Sequence, residues 1–366
     1  MATQTTSPHR SGLLPNLALA LLCTLWLVPT LGLFISSFRS SDDVRNTGWW
    51  TILPHQEWRT VETITPDGSL DRSGRMEFAG ASGTFTDLRV GVTTPDGKRV
   101  LWVGNRRLGT VHLQEQQWTA STNFTLSNYG NVLTGKQYEV TSPEGVKQTL
   151  RGDDLSGAFL NSLAVTVPSV LLPLMIAAFA AYGFAWVRFP GRGPLFAVVV
   201  ALLVVPLQIS LVPVLSDYVK LGLNGTYLAV WLAHTGFGLP LAIYLLYNYI
   251  ASLPRELLEA AMVEGASHLT IFRLIVLPLS APVLASYAIF QFLWVWNDYL
   301  VALIFIGSQP NVQVLTMRLA EIVGSRGNDW HLLTAGAFIS MVLPLAVFFS
   351  LQRYFVHGLT AGAVKS

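Results

Sequence analysis

The residues whose types and spacing suggest chemistry fall in two places. Asp298 is an acidic group in an apolar run, next to Asn297 and just after Trp294 and Trp296. A carboxylate in such surroundings is costly and must face a protein interior or a water-filled cavity. Indole faces stack on flat ligand surfaces, and carboxylates and amides bind hydroxyl groups. Trp294, Trp296, Asn297 and Asp298 are therefore candidate lining of a path for a polyhydroxylated ligand, with Gln208 as a further candidate. Each also has a structural reading. Trp is common at the edge of an apolar layer, and Asp298, Gln208 and His234 can satisfy neighbouring helices by hydrogen bonds.

The second place is the polar gap Glu259-Ala260-Ala261-Met262-Val263-Glu264-Gly265-Ala266, followed by Leu277-Pro278 and Pro282. Its chemistry is docking rather than bond breaking. Pro254 fits the first turn of a helix, where a missing N–H costs nothing. Glu256 and Glu259 then lie near the helix N-terminus, where negative charge is favoured. Leu258, Ala261 and Met262 recur at helical spacing, a short stripe of apolar side chains that suits a partner's groove. Gly265 allows a sharp change of direction or a close backbone approach.

Other chemistries find no support. There is no Gly-rich run ending in Lys-Ser or Lys-Thr to cradle a nucleotide, no Cys/His cluster for a metal, and no Ser-His-Asp or paired-carboxylate arrangement. No catalytic residue, metal site or cofactor is assigned to this chain. The net charge of +2 gives no footing for nucleic acid.

The elements that position these residues belong to a bilayer. Hydrophobic residues make up 51% of the chain and charged ones 12%, against about 25% charged in soluble proteins. Six segments approach the roughly 20 apolar residues a spanning helix needs. They are Leu13 to Phe38, Ala158 to Val187, Pro194 to Ser216, Tyr227 to Ile250, Pro282 to Ile306, and Leu332 to Leu351. Prolines 206, 213 and 240 are expected to kink or break their helices. With the N-terminus inside, Arg10, Arg188, Arg192, Arg255, Arg273, Arg353 and Lys365 are cytoplasmic, against only Lys220, Arg318 and Arg326 in the short outside loops. Short cytoplasmic loops collect Lys and Arg, so both termini and the Glu259 loop are placed inside. The first segment is longer than the apolar core of a cleaved signal peptide and reads as an anchor.

Residues 39–157 hold most of the charged side chains and are expected outside. Three turn signals recur there: Thr65-Pro66-Asp67-Gly68, Thr94-Pro95-Asp96-Gly97 and Ser142-Pro143-Glu144-Gly145. With alternating residues such as Leu88, Val90 and Val92, or Tyr138 and Val140, they read as β-hairpins. The expected fold class is an all-α polytopic membrane protein with six transmembrane helices, plus a small β-rich extracytoplasmic insertion. Its parts are the N-terminus and first helix at 1–38, the insertion at 39–157, helices two to six at 158–351 with a cytoplasmic loop at 251–281, and a cytoplasmic tail at 352–366.

The Glu-Ala-Ala run with Gly265 and Leu277-Pro278 resembles the cytoplasmic coupling loop of ABC-importer permeases. Further stretches are similar to the carbohydrate branch of that family, the smaller maltose-type permease above all. They are Thr125-Leu126-Ser127-Asn128-Tyr129, Asn161-Ser162, Ala181-Tyr182-Gly183-Phe184-Ala185, Gly222-Leu223-Asn224-Gly225-Thr226, Trp294-Val295-Trp296-Asn297-Asp298 and the tail from Gln352 to Lys365. The long outside insertion is similar to that of some α-glucoside permeases. The resemblance implies a second permease, a pair of ATPase subunits carrying ATP-Mg, an extracytoplasmic sugar-binding protein, and a sugar substrate crossing the lipid bilayer. It implies coupling through Glu259, Ala260, Ala261, Gly265, Ala266, Leu277 and Pro278, and contact of the tail, Gln352, Gly358, Gly362 and Lys365, with the ATPase. Two rival classes remain: an ion-coupled secondary sugar transporter, and a membrane receptor whose β module senses a ligand.

Overall fold

Apolar runs of this length can satisfy their backbone in lipid only as helices. The computed structural model describes residues 12–68, 70–135, 137–141, 147–151, 154–307, 309, 311–326 and 329–360. Among them, four helices are long and apolar enough to cross a membrane: Leu13–Ser37, Leu155–Trp186, Tyr227–Ala251 and Trp330–Arg353. Two bent pairs raise the number to as many as six, Arg192–Val204 with Leu207–Lys220 at 104° and His268–Leu279 with Ala281–Trp296 at 71°.

The third apolar segment is thus two helices rather than one. Pro206 supplies no N–H, and its ring pushes Val205 out of the helical region to φ −69°, ψ 119°. Pro213 and Pro240, by contrast, lie within the unbroken helices Leu207–Lys220 and Tyr227–Ala251. The fifth segment also differs from a single helix over Pro282–Ile306. Helix Ala281–Trp296 stops, residues 297–299 leave the helix, and Leu300–Ile306 starts anew. Asp298 causes the restart by turning its carboxylate onto the first turn of the new helix, accepting from the N–H groups of Val301 at 3.4 Å and Ala302 at 3.0 Å.

The described chain divides into two compact units. One comprises the helix up to Ile35 and Asp42–Phe124. It holds a four-stranded antiparallel sheet in the order β1-β6-β5-β4, with β1 His55–Ile64, β4 Val92–Thr93, β5 Arg99–Val103 and β6 Thr110–Thr119. A small pair, β2 Met76–Phe78 and β3 Ala81–Gly83, lies beside it in sequence. Period-two alternation puts Val100, Trp102, Val111 and Leu113 on one face, where they bury against Met76 and Leu88.

Only some of the expected hairpins form here. The Thr94–Gly97 turn does join β4 to β5, with Gly97 at φ +79°. After the Thr65–Gly68 turn the chain does not return along β1, whose partner is β6. Leu88 and Val90 belong to a helix, Phe85–Val90, not to a strand. Thr84 and Asp87 form a capping box that selects it, each side chain bonding the other's backbone N–H. The Thr84 hydroxyl, donating to Asp87 Oδ2, and after it the Thr84 N–H hold the Asp87 carboxyl below its ordinary range. The stability they add is therefore present at neutral pH and is lost as pH falls through that lowered value. Strands β7 Gln137–Thr141 and β8 Lys147–Arg151 pair with each other, and the Ser142–Gly145 turn falls outside the described residues.

Trp102 anchors the first unit. It is 2% exposed, takes Phe78 and Phe85 edge-on, and donates its indole N–H to the Asn105 carbonyl at 3.1 Å. Trp102→Ala is expected to cost the sheet about 3–5 kcal/mol. Limited proteolysis of the full chain in detergent should then cut between residues 42 and 124 at lower protease doses. An unchanged cleavage pattern would remove Trp102 from this role.

The second unit comprises Ser36–Ser41 and Thr125 onward. Its Asn128, 3% exposed, donates to the carbonyls of Ser37 at 2.9 Å and Arg39 at 2.8 Å. Tyr129 adds a hydroxyl contact to Ser37 at 2.7 Å. Asn128 thus satisfies the carbonyls of Ser37 and Arg39, just where intrahelical partners run out. Within the same unit Asn161 donates to the carbonyls of Asn311 and Gln313, and Ser162 accepts from the Leu315 N–H. Helices Leu155–Trp186 and Tyr227–Ala251 pack closely because Ala177, Ala181 and Ala242 meet at their contact, each 0% exposed.

Candidate functional site

Helix Arg255–Val263 begins at Pro254 and carries Glu256 in its first turn. Leu258 is fully buried and Ala261 half-buried, both in a cluster with Ala181, Tyr182, Leu246 and Ile250. The stripe expected to fill a partner's groove therefore divides. Leu258 and Ala261 face the chain's own helices, and the free face is Leu257, Glu259, Ala260 and Val263, the last 89% exposed.

Gly265 shapes the exit. Its φ of +83° lies in the left-handed region, and a Cβ there would meet nothing within 4 Å. The constraint is conformational, not a close approach within the chain. The Ala266 N–H bonds the Ala261 carbonyl and the Gly265 N–H bonds the Met262 carbonyl, each at 3.0 Å. That pair is the Schellman closure, and Ala266 and Ala261 supply its apolar contact. Ser267 at once caps the next helix, His268–Ile271, by accepting from the Thr270 N–H. The chain then widens into a π-turn over Phe272–Val276, just ahead of Leu277 and Pro278. Pro278 has no N–H to give the Leu274 carbonyl, so an ordinary helix could not continue satisfied through this point.

The intramembrane candidates separate in the same way. Asp298 caps its helix and lies 3.7 Å from His234 Nε2, with its side chain 10% exposed. Trp294 stands edge-on to His234 at 5.6 Å and lines a cavity of about 440 Å3 with Val205, Ser210, Phe237, Pro240 and Phe290. Such a volume falls in the range of small-ligand sites. Trp296 is placed elsewhere. It is 3% exposed, stacks on Phe292, and donates its indole N–H to Ser340. Asn297 turns back to the Leu293 carbonyl, and Gln208 is exposed and not among the cavity-lining residues.

Two polar residues escaped the sequence reading. Gln291 is 0% exposed and bonds the carbonyls of Ser169 and His234. Tyr287 Oη lies 3.0 Å from both the Gly238 carbonyl and Gln291 Oε1. Their one-turn spacing within an apolar run was the available signal. On the tail, Gln352 is exposed on helix Trp330–Thr360, which also includes Gly358. Gly362 and Lys365 lie outside the described residues.

The chain is similar in sequence to known transport permeases. A permease for uptake of osmoprotective compounds from Synechocystis sp. is 46% identical over 96% of this chain and 91% of its own length. An α-glucoside transport system permease from Rhizobium meliloti is 47% identical over 96% of each. A melibiose, raffinose and stachyose import permease from Bacillus subtilis is 35% identical over 58% of this chain and 76% of its own length. Residues 158–360 match the family described as binding-protein-dependent transport system inner membrane component, and the chain belongs to that family.

Proposed function

We propose that this permease forms half of the translocation path of an ATP-driven importer for oligosaccharides, α-glucosides in particular. The observation that carries the mechanism is helix Arg255–Val263. One face is bound to the chain's core, and the other leaves Leu257, Glu259, Ala260 and Val263 exposed, which supports docking of a partner there. The α-glucoside permease, matched over nearly its whole length, supports the substrate class. In this reading six spans cross the membrane: the bent pair Arg192–Val204 with Leu207–Lys220 is the third, and the fifth runs from Ala281 through the break at 297–299 to Ile306, with His268–Leu279 on the cytoplasmic side. The N-terminus, residues 251–281 and the tail are cytoplasmic, and the β-rich stretch within 39–157 is an extracytoplasmic insertion.

The partners are a second permease, two ATPase subunits holding ATP-Mg, and an extracytoplasmic sugar-binding protein. The chain itself is not an enzyme. Closure of the ATPase pair pushes on Glu259 to Ala266, with Leu277 and Pro278 joining that loop to the fifth span. Gln352, Gly358, Gly362 and Lys365 of the tail contact the same subunits. The spans then tilt between inward- and outward-facing states, and sugar passes the Trp294 cavity. Asp298 and Asn297 act mainly by shaping the helix break beside it.

Uptake in proteoliposomes separates the classes. Labelled maltose, sucrose and trehalose, offered with the binding protein, should accumulate only when ATP is enclosed. Accumulation driven by a proton gradient without ATP would make the chain a secondary transporter. Growth on these sugars after gene deletion tests the receptor alternative, which predicts altered regulation with uptake intact.

A further inference from the structure

Between the docking helix and the membrane helices lies a polar contact that the coupling reading leaves without a role. His268 is the first residue of the helix that Ser267 caps, three positions past Gly265. The turn at Gly265 therefore sets where its ring points. Its Nδ1 lies 2.9 Å from Tyr182 Oη, on helix Leu155–Trp186. Tyr182 is 5% exposed and also packs on Phe272 at 5.5 Å, while Phe179, one turn earlier, stacks on Phe272 at 4.4 Å. Two aromatic rings and one hydrogen bond thus fasten the segment His268–Phe272 to the second long helix.

Beyond the far end of the segment the Tyr249 hydroxyl donates to the Leu279 carbonyl at 3.1 Å, and the attachment between these two bonds is apolar. Leu258, Ala261, Ala266 and Ile271 share one cluster of apolar side chains, whose contacts carry little directional penalty. A hydrogen bond resists sliding because its strength falls steeply with distance and angle. We propose that Tyr182 and His268 form a positioning clasp. It makes the second span follow the docking helix when the ATPase moves, so that ATP turnover is converted to sugar movement. This rests on the permease reading above.

The clasp is separable from folding. Tyr182→Phe keeps the ring against Phe272 and removes only the hydroxyl. His268 is exposed, so water can satisfy its freed nitrogen. His268→Asn returns a polar atom near the Nδ1 position, whereas His268→Leu does not. The assay is the whole complex in proteoliposomes, scored for labelled maltose imported per ATP hydrolysed, with complex yield recorded beside it. Tyr182→Phe and His268→Leu should assemble normally and hydrolyse ATP, yet import about fivefold less sugar per ATP, the worth of roughly one neutral hydrogen bond. The double variant should be no worse than either single one, and His268→Asn should recover most of the ratio. A merely structural contact would lower yield and leave the ratio alone, and that result overturns the clasp while the permease reading stands. A chain that assembles with no ATPase overturns both.

Discussion

Replacing Gly265 by valine is expected to cut ATP-driven uptake about tenfold or more while leaving membrane insertion intact, from a left-handed penalty of about 1–2 kcal/mol, increased by β-branching. The backbone at Gly265 stands at φ +83°, and two hydrogen bonds of the Schellman closure depend on it. Valine must either strain there or let the chain leave the helix in another direction. Ser267 and His268 then no longer start the next helix where they do now. Asparagine is the informative companion because it tolerates the left-handed region. With open space around the missing Cβ, Gly265→Asn should retain most uptake if conformation is the whole requirement. If Asn fails as badly as Val, the glycine is needed for a partner's close approach. Normal uptake with Val would remove Gly265 from the coupling path.

The second large effect concerns Asp298. Asp298→Ala is expected to lower the yield and thermal stability of the assembled complex by several kcal/mol, since unsatisfied N–H groups at membrane depth are costly. Its carboxylate holds the Val301 and Ala302 N–H groups and lies beside His234. Asp298→Asn keeps an acceptor oxygen and should restore most of that stability. Detergent melting of purified complexes reads this directly. Were Asp298 instead a sugar ligand, both variants would melt normally and raise the apparent KM for uptake.

How much of this was legible beforehand depended on the kind of signal. Long apolar runs marked Leu155–Trp186 and Tyr227–Ala251 to within a few residues, because their ends coincide with the caps Asp154 and Thr226. The breaks were harder. Pro206, Pro213 and Pro240 look alike in sequence, yet only at Pro206 does the chain turn out of its helix. Proline in a helix removes one bond, and tertiary packing decides whether the remainder bends or holds. In the first unit, Leu88-Arg89-Val90 alternates like a strand, but Thr84 and Asp87 carry a capping box three residues apart that outweighs the alternation. The strand partner of β1 was invisible because pairing with β6 spans more than forty residues of intervening chain and depends on a hydrophobic face completed elsewhere.

The functional residues divide similarly. Gly265 was legible because a backbone requirement selects one residue type. Leu258 and Ala261 pack on the chain's own cluster while Met262 stays exposed, and an apolar stripe does not say whether its partner is another chain or the same one. Trp296 shared that ambiguity with Trp294, and only packing separates the buried indole from the one beside the cavity. Gln291 and Tyr287, both buried, gave no sign beyond their spacing.

The central claim is that the outward face of Arg255–Val263 meets an ATPase. A direct test is Val263→Cys in a Cys23→Ser background, since Cys23 is the single native cysteine. A short bifunctional crosslinker from this position, with mass spectrometry of the product, should join the chain to an ATPase subunit in the complex purified in mild detergent. Protection from a water-soluble maleimide should accompany it. A chain that purifies without an ATPase, or a cysteine at 263 that stays fully reactive and uncrosslinked in an intact complex, would contradict the account.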